Sequence, residues 1–301
     1  MIVLSQVIEL LNSSGSSSDP NQEIAHVRSI TDADFDEKSL GWCSDKNAEL
    51  LATLPGGAVI VSSAVYNEFQ SQLNQINLIP VEKPRSAFLK VLREFFAEKP
   101  PYGFIHPSAI IDPSVSFHQN SVNIAANVVI EKSCVLGNQV SIGANTVIKS
   151  GTIIGDNCQI GSNNTIGGVG FGYELNDENE YELMPHIGNV VLKDHVEIGN
   201  NVCIDRAVMG STLLEENVKV DNLVHIAHGV KIGKNSLIIA NAMIAGSVEI
   251  GENVWISPSA SIRQKLSIED NALVGLGSVV VKNVSANSVV AGNPAKPFEK
   301  K

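Results

Sequence analysis

The chain has few of the residues that mark secreted or membrane proteins. Only four of its 301 residues are cysteines, and no two stand in a CxxC pair, so their spacing favours neither a zinc site nor a disulfide framework. No apolar run approaches the roughly 20 residues of a membrane span. The first segment, MIVLSQVIELLNSS, carries no basic residue and does not resemble a signal peptide. We therefore expect a cytoplasmic protein without a membrane span.

Positive charge is also scarce. Lysine and arginine together number 21 against 32 aspartates and glutamates, which gives a formal net charge of -11. Nucleic-acid binding needs clustered basic side chains against phosphates, so we expect no nucleic-acid partner. The chain is 44% hydrophobic and long enough for two domains, which is typical of a globular protein.

The first hundred residues have the mixed pattern of a small α/β domain. Residues 3–11 have apolar side chains at helical spacing, and residues 84–98 have the pattern of an amphipathic helix. Between them, GGAVIVSS (56–63) is typical of a short buried strand. We predict that this domain covers residues 1–103.

After Pro101 an aliphatic residue recurs every six positions. The series runs through Ile124, Ile130, Leu136, Ile142, Ile148, Ile154, Ile160 and Ile166, then Leu192, Ile198 and Ile204, then every sixth residue from Leu214 to Val280. A period of six is the signature of a parallel β-helix, in which each hexapeptide forms one flat side and its aliphatic residue points inward. We predict a mainly β fold with this helix over 104–282 and a C-terminal tail over 283–301. The small residues that follow the aliphatic ones, such as Gly143, are expected at turn corners with unusual backbone angles.

Two segments interrupt the period. The first, residues 167–189, is acidic and rich in glycine, and the second is RAVMGST (206–212). Loops ejected from a regular scaffold often carry function. The segment VDNLVHIAHGVKIG (220–233) keeps the period and holds two histidines. His225 and His228 flank the inward Ile226, so we expect both to face outward, with His228 near a corner.

These segments resemble known families. The hexapeptide series is similar to the left-handed β-helix acyltransferases, which work as trimers. Four segments more closely resemble the UDP-3-O-acylglucosamine N-acyltransferases of lipid A synthesis: residues 169–174, 187–207, 220–233 and 244–251. Three N-terminal segments resemble that family's uridine-binding domain: residues 39–51, 56–63 and 81–96. The end of the chain, VAGNPAKP (290–297), is similar instead to acetyl-CoA-dependent enzymes that N-acetylate nucleotide-linked amino sugars.

The resemblance implies roles for individual residues. His228 matches the family's catalytic base, which would take a proton from the sugar amine as the amine attacks a thioester. Asp221 is the candidate carboxylate that orients its ring, and the backbone N–H near Gly246 is the candidate donor to the developing oxyanion. Trp42 falls where the family stacks an aromatic ring on uracil, although core packing is its alternative role.

The remaining candidates are contacts to substrate or donor. For the sugar nucleotide they are Asn222, His225, Asp205, Arg206 and His186. For the acyl donor they are Lys265, Lys282 and Lys296, and the two last would meet CoA phosphates. For each of them a purely structural or solvated role is the alternative, and Asp205 with Arg206 would then form an ion pair.

Together these features predict an N-acyltransferase. It would move an acyl group from a thioester, with acyl-CoA favoured, to the amine of a nucleotide-linked amino sugar, at sites between the subunits of a homotrimer without a resident cofactor or metal. One alternative is the lipid A reaction itself, with a hydroxyacyl carrier protein as donor. A metal hydratase resembling γ-type carbonic anhydrase would need His225, His228 and a third zinc ligand. A non-catalytic sugar-binding scaffold is the last alternative.

Overall fold

The computed structural model describes residues 2–13, 19–98 and 101–297. The chain forms two compact units, Met1–Pro100 and Pro101–Lys301. Within the described ranges, no helix is both long and apolar enough to cross a membrane.

The N-terminal unit is built on a four-stranded parallel sheet. Its strands are His26–Val27, Ser39–Trp42, Ala58–Ser62 and Asn77–Val81, and a separate antiparallel pair joins Ile2–Val3 to Glu23–Ile24. The helices are Leu4–Leu11, Ser63–Phe69 and Pro84–Val91, with a 3-10 segment at Asp45–Thr53 and a π-helical turn at Leu92–Phe96. The predicted helix near residues 3–11 and the predicted strand within 56–63 are confirmed. The helix predicted over 84–98 changes from α to π at Leu92.

The C-terminal unit consists of three parallel sheets that form the sides of a prism. The first side has the strands Val122–Ile124, Val140–Ile142, Gln159–Ile160, Glu197–Ile198, Lys219–Val220, Leu237–Ile238, Trp255–Ile256, Leu273–Val274 and Val289–Ala291, with Lys296–Pro297 added antiparallel. The second has Ile110–Ile111, Val129–Ile130, Val147–Ile148, Thr165–Gly168, Cys203–Asp205, His225–Ile226, Met243–Ile244, Ser261–Ile262 and Val279–Val280. The third has Val135–Leu136, Ile153–Ile154, Asn189–Leu192, Ser211–Leu214, Lys231–Ile232, Glu249–Ile250 and Ser267–Ile268. A 3-10 turn at Gln119–Ser121 precedes the first of these strands on the first side.

The register follows from the period of six. Ile226 pairs with Ile244 and Ile232 with Ile250, so that a residue meets its equivalent 18 positions later, after three hexapeptides. Every aliphatic residue of the predicted series is buried in one continuous core. The predicted fold class, a mainly β left-handed parallel β-helix preceded by a small α/β domain, is confirmed. The trimer stays a prediction.

The glycines that follow the aliphatic residues have a different role from the one predicted. Except for Gly167, whose φ is 90°, they keep ordinary backbone angles, whereas positive φ falls at other corner residues, many of them asparagines such as Asn145 and Asn163. A Cβ added to Gly143 would lie 2.6 Å from the carbonyl carbon of Gly161 in the next coil. Glycine is needed at this position because the coils approach each other closely, not because the backbone is left-handed.

Both predicted interruptions are insertions into single coils. Ile166 pairs with Ile204, 38 positions later, so this coil carries 20 residues beyond the regular 18. Most of the excess forms the ejected hairpin, a name used here for Val169–His186, whose two strands are Tyr173–Leu175 and Tyr181–Leu183. The next coil, from Leu192 to Leu214, carries four extra residues.

Candidate active site

A cavity of about 750 Å³ lies on the second side of the prism, beside the ejected hairpin. It brings together five of the predicted residues, which are Asp205, His225, His228, Gly246 and Lys265. The strand register brings Asp205, His225 and the residues after Ile244 together. The strands Cys203–Asp205, His225–Ile226 and Met243–Ile244 are consecutive on this side of the prism. The hairpin contributes Phe171, Gly172, Tyr173 and Tyr181 to the cavity wall.

His228 stands at the corner that follows inward Ile226, as the spacing predicts. Its ring packs tightly against Gly246 in the next coil, since a Cβ added to that glycine would lie 2.8 Å from both Cε1 and Nε2 of the ring. The backbone continues the stack, because the carbonyl of His228 accepts from the N–H of Ser247 at 2.9 Å. Glycine at 246 therefore leaves the Nε2 edge of the imidazole room beside the cavity.

The surroundings of His228 favour its neutral form. Burial lowers the pKa of this imidazole below its ordinary value of 6.5, and the nearby His186 lowers the same pKa further. Both effects disfavour a positive charge on the ring. At neutral pH the side chain is consequently ready to accept a proton, as a general base must be.

The chain does not bring Asp221 to His228. Asp221 follows Val220 on the first side of the prism and stands one corner away. Its carboxylate accepts from the backbone N–H of Asn222 at 2.7 Å and from that of Ala240 at 3.2 Å. Asn222 is occupied as well, since its side-chain oxygen accepts from the N–H of Asn200 at 2.7 Å. These two residues thus connect neighbouring coils, and neither lines the cavity.

A second acid–histidine pair does line the cavity. Oδ2 of Asp205 lies 3.7 Å from Nε2 of His225, and the aspartate side chain is only 14% exposed. Burial raises the pKa of this carboxyl, while His225 and His186 lower it. At 3.7 Å the pair is an electrostatic contact and not a hydrogen bond, so both groups keep capacity to bond a polar ligand.

Arg206 holds the base of the ejected hairpin and does not face the cavity. Its Nε donates to the carbonyl of Gly167 at 2.7 Å, and its terminal nitrogen donates to the carbonyl of Ser150 at 3.0 Å. The ion pair with Asp205 that was the structural alternative does not form. The side chain therefore fixes the point where the hairpin leaves the prism.

A residue of the second interruption, Thr212, supports the backbone beside His228. The sequence did not indicate this role. Thr212 is fully buried and its hydroxyl donates to the carbonyl of Asp205 at 2.7 Å. The same hydroxyl accepts from the N–H of Gly229, the residue after His228, at 2.9 Å. One buried side chain thus links the strand of Asp205 to the backbone beside the candidate base.

His186 lies against His228 and not in the cavity. Its ring is 8% exposed, its Nδ1 lies 2.7 Å from the carbonyl oxygen of Met184, and its Nε2 is buried. The two imidazole rings meet edge to face, with centroids 5.4 Å apart and planes at 82°. Direct contact between His186 and a substrate is therefore not supported by its placement.

The predicted donor lysines differ in position. Lys265 lines the cavity together with Gln264, at a corner with φ of 59°. Lys282 and Lys296 are exposed, and neither lines the cavity. Sequence reasoning missed Gln264 and Met243 as lining residues. The period of six predicts the outward position of both, because Met243 precedes inward Ile244 and Gln264 stands two places after inward Ile262.

Trp42 lines a separate cavity of about 410 Å³ in the N-terminal unit. The indole is half-buried against the core at the end of strand Ser39–Trp42, and Arg28, Asn47 and Phe88 share the cavity wall. The indole thus packs on the core and also lines this cavity, and the stacking on uracil stays a prediction.

In the described part of the chain, no group of three or more histidine, cysteine or acidic side chains is arranged to hold a metal ion. Three cysteines are buried, and burial raises the pKa of the Cys158 thiol to about 11. These thiols are poor nucleophiles, because the thiolate is the reactive form.

Comparison with known proteins places this arrangement in a family. The bacterial transferase hexapeptide family matches residues 133–168 and 211–246. A UDP-3-O-acylglucosamine N-acyltransferase from Gloeothece citriformis is 38% identical over 269 residues, which cover 81% of this chain and 75% of that protein. The chain belongs to the UDP-3-O-acylglucosamine N-acyltransferase family. Another member, from Syntrophotalea carbinolica, is 40% identical over 227 residues, 66% of this chain and 62% of that protein.

Other matches are shorter. For several curated UDP-3-O-acylglucosamine N-acyltransferases, the chain spans less than two thirds of the relative's length. A crystal structure of a UDP-N-acetylglucosamine acyltransferase from Bacteroides fragilis has a TM-score of 0.52 at 22% identity, covering 65% of this chain and 74% of that one. This likeness concerns the fold. The comparisons favour the lipid A alternative over the CoA-dependent enzymes that the tail resembles.

Proposed function

We propose that this protein transfers an acyl group from a thioester to the amine of a UDP-linked 3-O-acylglucosamine, with His228 as general base. The observation that carries the proposal is the placement of His228. Its ring lines a cavity, packs against Gly246 and has a lowered pKa. Membership of the UDP-3-O-acylglucosamine N-acyltransferase family supplies the substrate class.

The reaction needs one proton acceptor and one oxyanion donor. The neutral amine attacks the thioester carbonyl carbon, a C–N bond forms, and Nε2 of His228 takes the proton that the nitrogen loses. The tetrahedral intermediate then collapses, the C–S bond breaks, and the imidazolium returns the proton to the leaving thiolate. The products are the amide and a free thiol, so atoms and charge balance.

Gly246 is the proposed donor to the oxyanion. In the described part of the chain its backbone N–H has no hydrogen-bond partner, and the residue lines the cavity beside His228. A backbone N–H aimed at the developing negative charge stabilises the intermediate more than the ground state. The absence of a Cβ lets the carbonyl carbon approach both this N–H and the imidazole.

The other lining residues suit the two substrates. Asp205 and His225 are the proposed contacts to sugar hydroxyls, since their 3.7 Å separation leaves bonding capacity free. Tyr173, Tyr181 and Met243 form an apolar wall that suits an acyl chain. In the N-terminal unit, the Trp42 cavity is the proposed uridine site, because an aromatic face can stack on a base.

For the donor we propose an acyl carrier protein. The resemblance to the UDP-3-O-acylglucosamine N-acyltransferases implies this donor. Membership of that family favours it over acyl-CoA, the donor that the resemblance of residues 290–297 implies. The lysines assigned to CoA phosphates, Lys282 and Lys296, do not line the cavity. Among the described residues, Lys265 is the only lysine or arginine that lines the cavity, and it is the proposed contact to the donor.

The test is a crossed assay. Purified protein is mixed with UDP-3-O-acylglucosamine and either hydroxyacyl carrier proteins or acyl-CoAs of several lengths, and amide product is measured by mass spectrometry beside thiol release. We expect product with the carrier protein and a loss of about 10³-fold or more in kcat for His228→Ala. His118→Ala is the matched control, because His118 is exposed and lies outside the cavity. Equal turnover by His228→Ala and the native protein would reject this base.

A further inference from the structure

The contact between the buried imidazole of His186 and the half-buried imidazole of His228 suggests how the candidate base is held. We propose that His186 is a positioning residue, whose ring fixes the orientation of the His228 imidazole in place of a hydrogen-bonded carboxylate. The inference rests on the proposed function of His228. Within the described part of the chain, no hydrogen bond acts on the His228 ring, whose pKa responds only to burial and to His186, and Asp221 stands at another corner.

The tautomer and the anchor of His186 follow from one short contact. Nδ1 lies 2.7 Å from the carbonyl oxygen of Met184, and a carbonyl only accepts, so Nδ1 carries the proton. This bond ties the ring to the backbone two residues earlier. The residue is only 8% exposed, its Nε2 is buried, and it does not line the cavity, so neither ring nitrogen is presented to a ligand there.

The choice of histidine at this position carries a cost. Among the described residues, Nε2 of His186 is buried without a hydrogen-bond partner, which is unfavourable relative to an apolar replacement. Phenylalanine would remove that cost but could not donate to Met184. Glutamine could donate but has no flat ring to set against His228. Histidine supplies both the donor and the ring, which indicates that the orientation of this ring matters.

Two glycines of the ejected hairpin complete the packing. A Cβ on Gly170 would lie 3.0 Å from Nε2 of His186 and 3.1 Å from both Cβ and Cδ2 of His228. A Cβ on Gly172 would lie 3.1 Å from Cε1 of His186. The hairpin backbone therefore lies directly against both rings. With Gly246 on the other edge, the imidazole of His228 is held from two directions, and its Nε2 stays beside the cavity.

Loss of this support should lower kcat more than it weakens substrate binding. A displacement of about 1 Å at a reacting group costs on the order of 10²-fold in rate. We expect His186→Ala to lower kcat by about 10- to 100-fold while KM changes less than about 3-fold. Leu175→Ala, an exposed truncation on the same hairpin and outside the cavity, is the matched control and should stay within about 2-fold of the native kcat.

A second variant keeps the test valid if His186→Ala disturbs the hairpin. Gly170→Ala leaves His186 intact but drives a methyl group between the two rings, so we expect a similar fall in kcat. Circular dichroism and thermal unfolding check the fold of both proteins. If both variants turn over within about 2-fold of the native protein, the positioning role is rejected.

An NMR titration separates this inference from the proposed function. The Cε1–H signal of His228 in ¹³C-histidine protein is assigned by its loss in His228→Ala and followed against pH without substrate. Burial and His186 both keep the pKa of His228 low, and His186→Ala weakens both effects, so that pKa should rise in the variant, while Asp205, His225 and Lys265 remain in place. An unchanged pKa would reject the inference even in an active enzyme. A shifted pKa in a protein with no transferase activity would reject only the proposed function.

Discussion

At the residue scale, the proposed chemistry depends on the protonation of one imidazole. Burial and His186 both lower the pKa of His228 below 6.5, so the base is neutral over a wider range of acidic pH than a free histidine. We predict that kcat rises with pH around a midpoint below 6.5 and then reaches a plateau at higher pH. The sugar amine also titrates and affects the pH dependence of kcat. The NMR titration of His228 without substrate therefore identifies which part of the pH–rate profile belongs to the ring. An acidic limb centred above 6.5 would contradict the prediction.

Gly246 gives the second residue-scale prediction. Alanine there keeps an ordinary backbone, but its Cβ would meet Cε1 and Nε2 of His228 at 2.8 Å. We expect Gly246→Ala to lower kcat by about 10²-fold, because the ring must move and the oxyanion donor is obstructed. Gly277→Ala is the control: its Cβ would meet nothing within 4 Å, and its φ of 62° adds only backbone strain. Steady-state kinetics of both variants measure the difference.

The period of six predicts which side chains face outward, but not everything about their partners. It predicts the outward positions of His225 and His228, and a spacing of 18 residues brings the strand before Gly246 beside that of His225. It does not predict the place of Asp205, because four extra residues bring the spacing between its strand and that of His225 to 22. The same period places Asp221 one corner away, because seven residues exceed one side of the prism. His186 lies in a segment without the period, so no sequence signal placed its ring against His228.

At the scale of elements, the ejected hairpin is the part of the prism that makes a cavity out of a flat side. It supplies Phe171, Tyr173 and Tyr181 to the wall and His186 to the support of the base. The break in the period at residues 167–189 predicts a loop that is ejected from the scaffold. The antiparallel pairing of Tyr173–Leu175 with Tyr181–Leu183 could not be predicted, because alternation is weak in these short strands.

Arg206 fixes the base of this hairpin, which gives a prediction at the element scale. Arg206→Met removes the donors to the carbonyls of Gly167 and Ser150. We expect the free energy of unfolding to fall by about 1–2 kcal/mol, since the half-buried carbonyls lose their partner. Amide exchange should accelerate within Val169–His186. The control is the exposed Arg263→Met, and equal exchange rates in the two variants would show that Arg206 does not hold the hairpin.

At the scale of the whole molecule, the prism was the most predictable feature and the assembly the least. A strict aliphatic series predicts the core because each coil repeats the same burial, and the coils then stack in register. The surface has no such repetition. Two large apolar side chains near the hairpin, Ile187 and Met209, are 78% and 76% exposed, and their segments are joined by the bond from the N–H of Ile187 to the carbonyl of Val208.

Exposed apolar side chains of this size suit an interface between copies of the chain, and we predict a homotrimer. Light scattering should give about three times the protomer mass of 32.1 kDa. The double variant Ile187→Ser, Met209→Ser should shift the protein toward smaller species. Burial of these two apolar side chains in the interface would contribute about 1.5–3 kcal/mol for each side chain in every subunit. Leu50→Ser, in the N-terminal unit, is the control and should leave the mass unchanged. A native protein that scatters as a monomer and still transfers acyl groups would show that one chain suffices for the site.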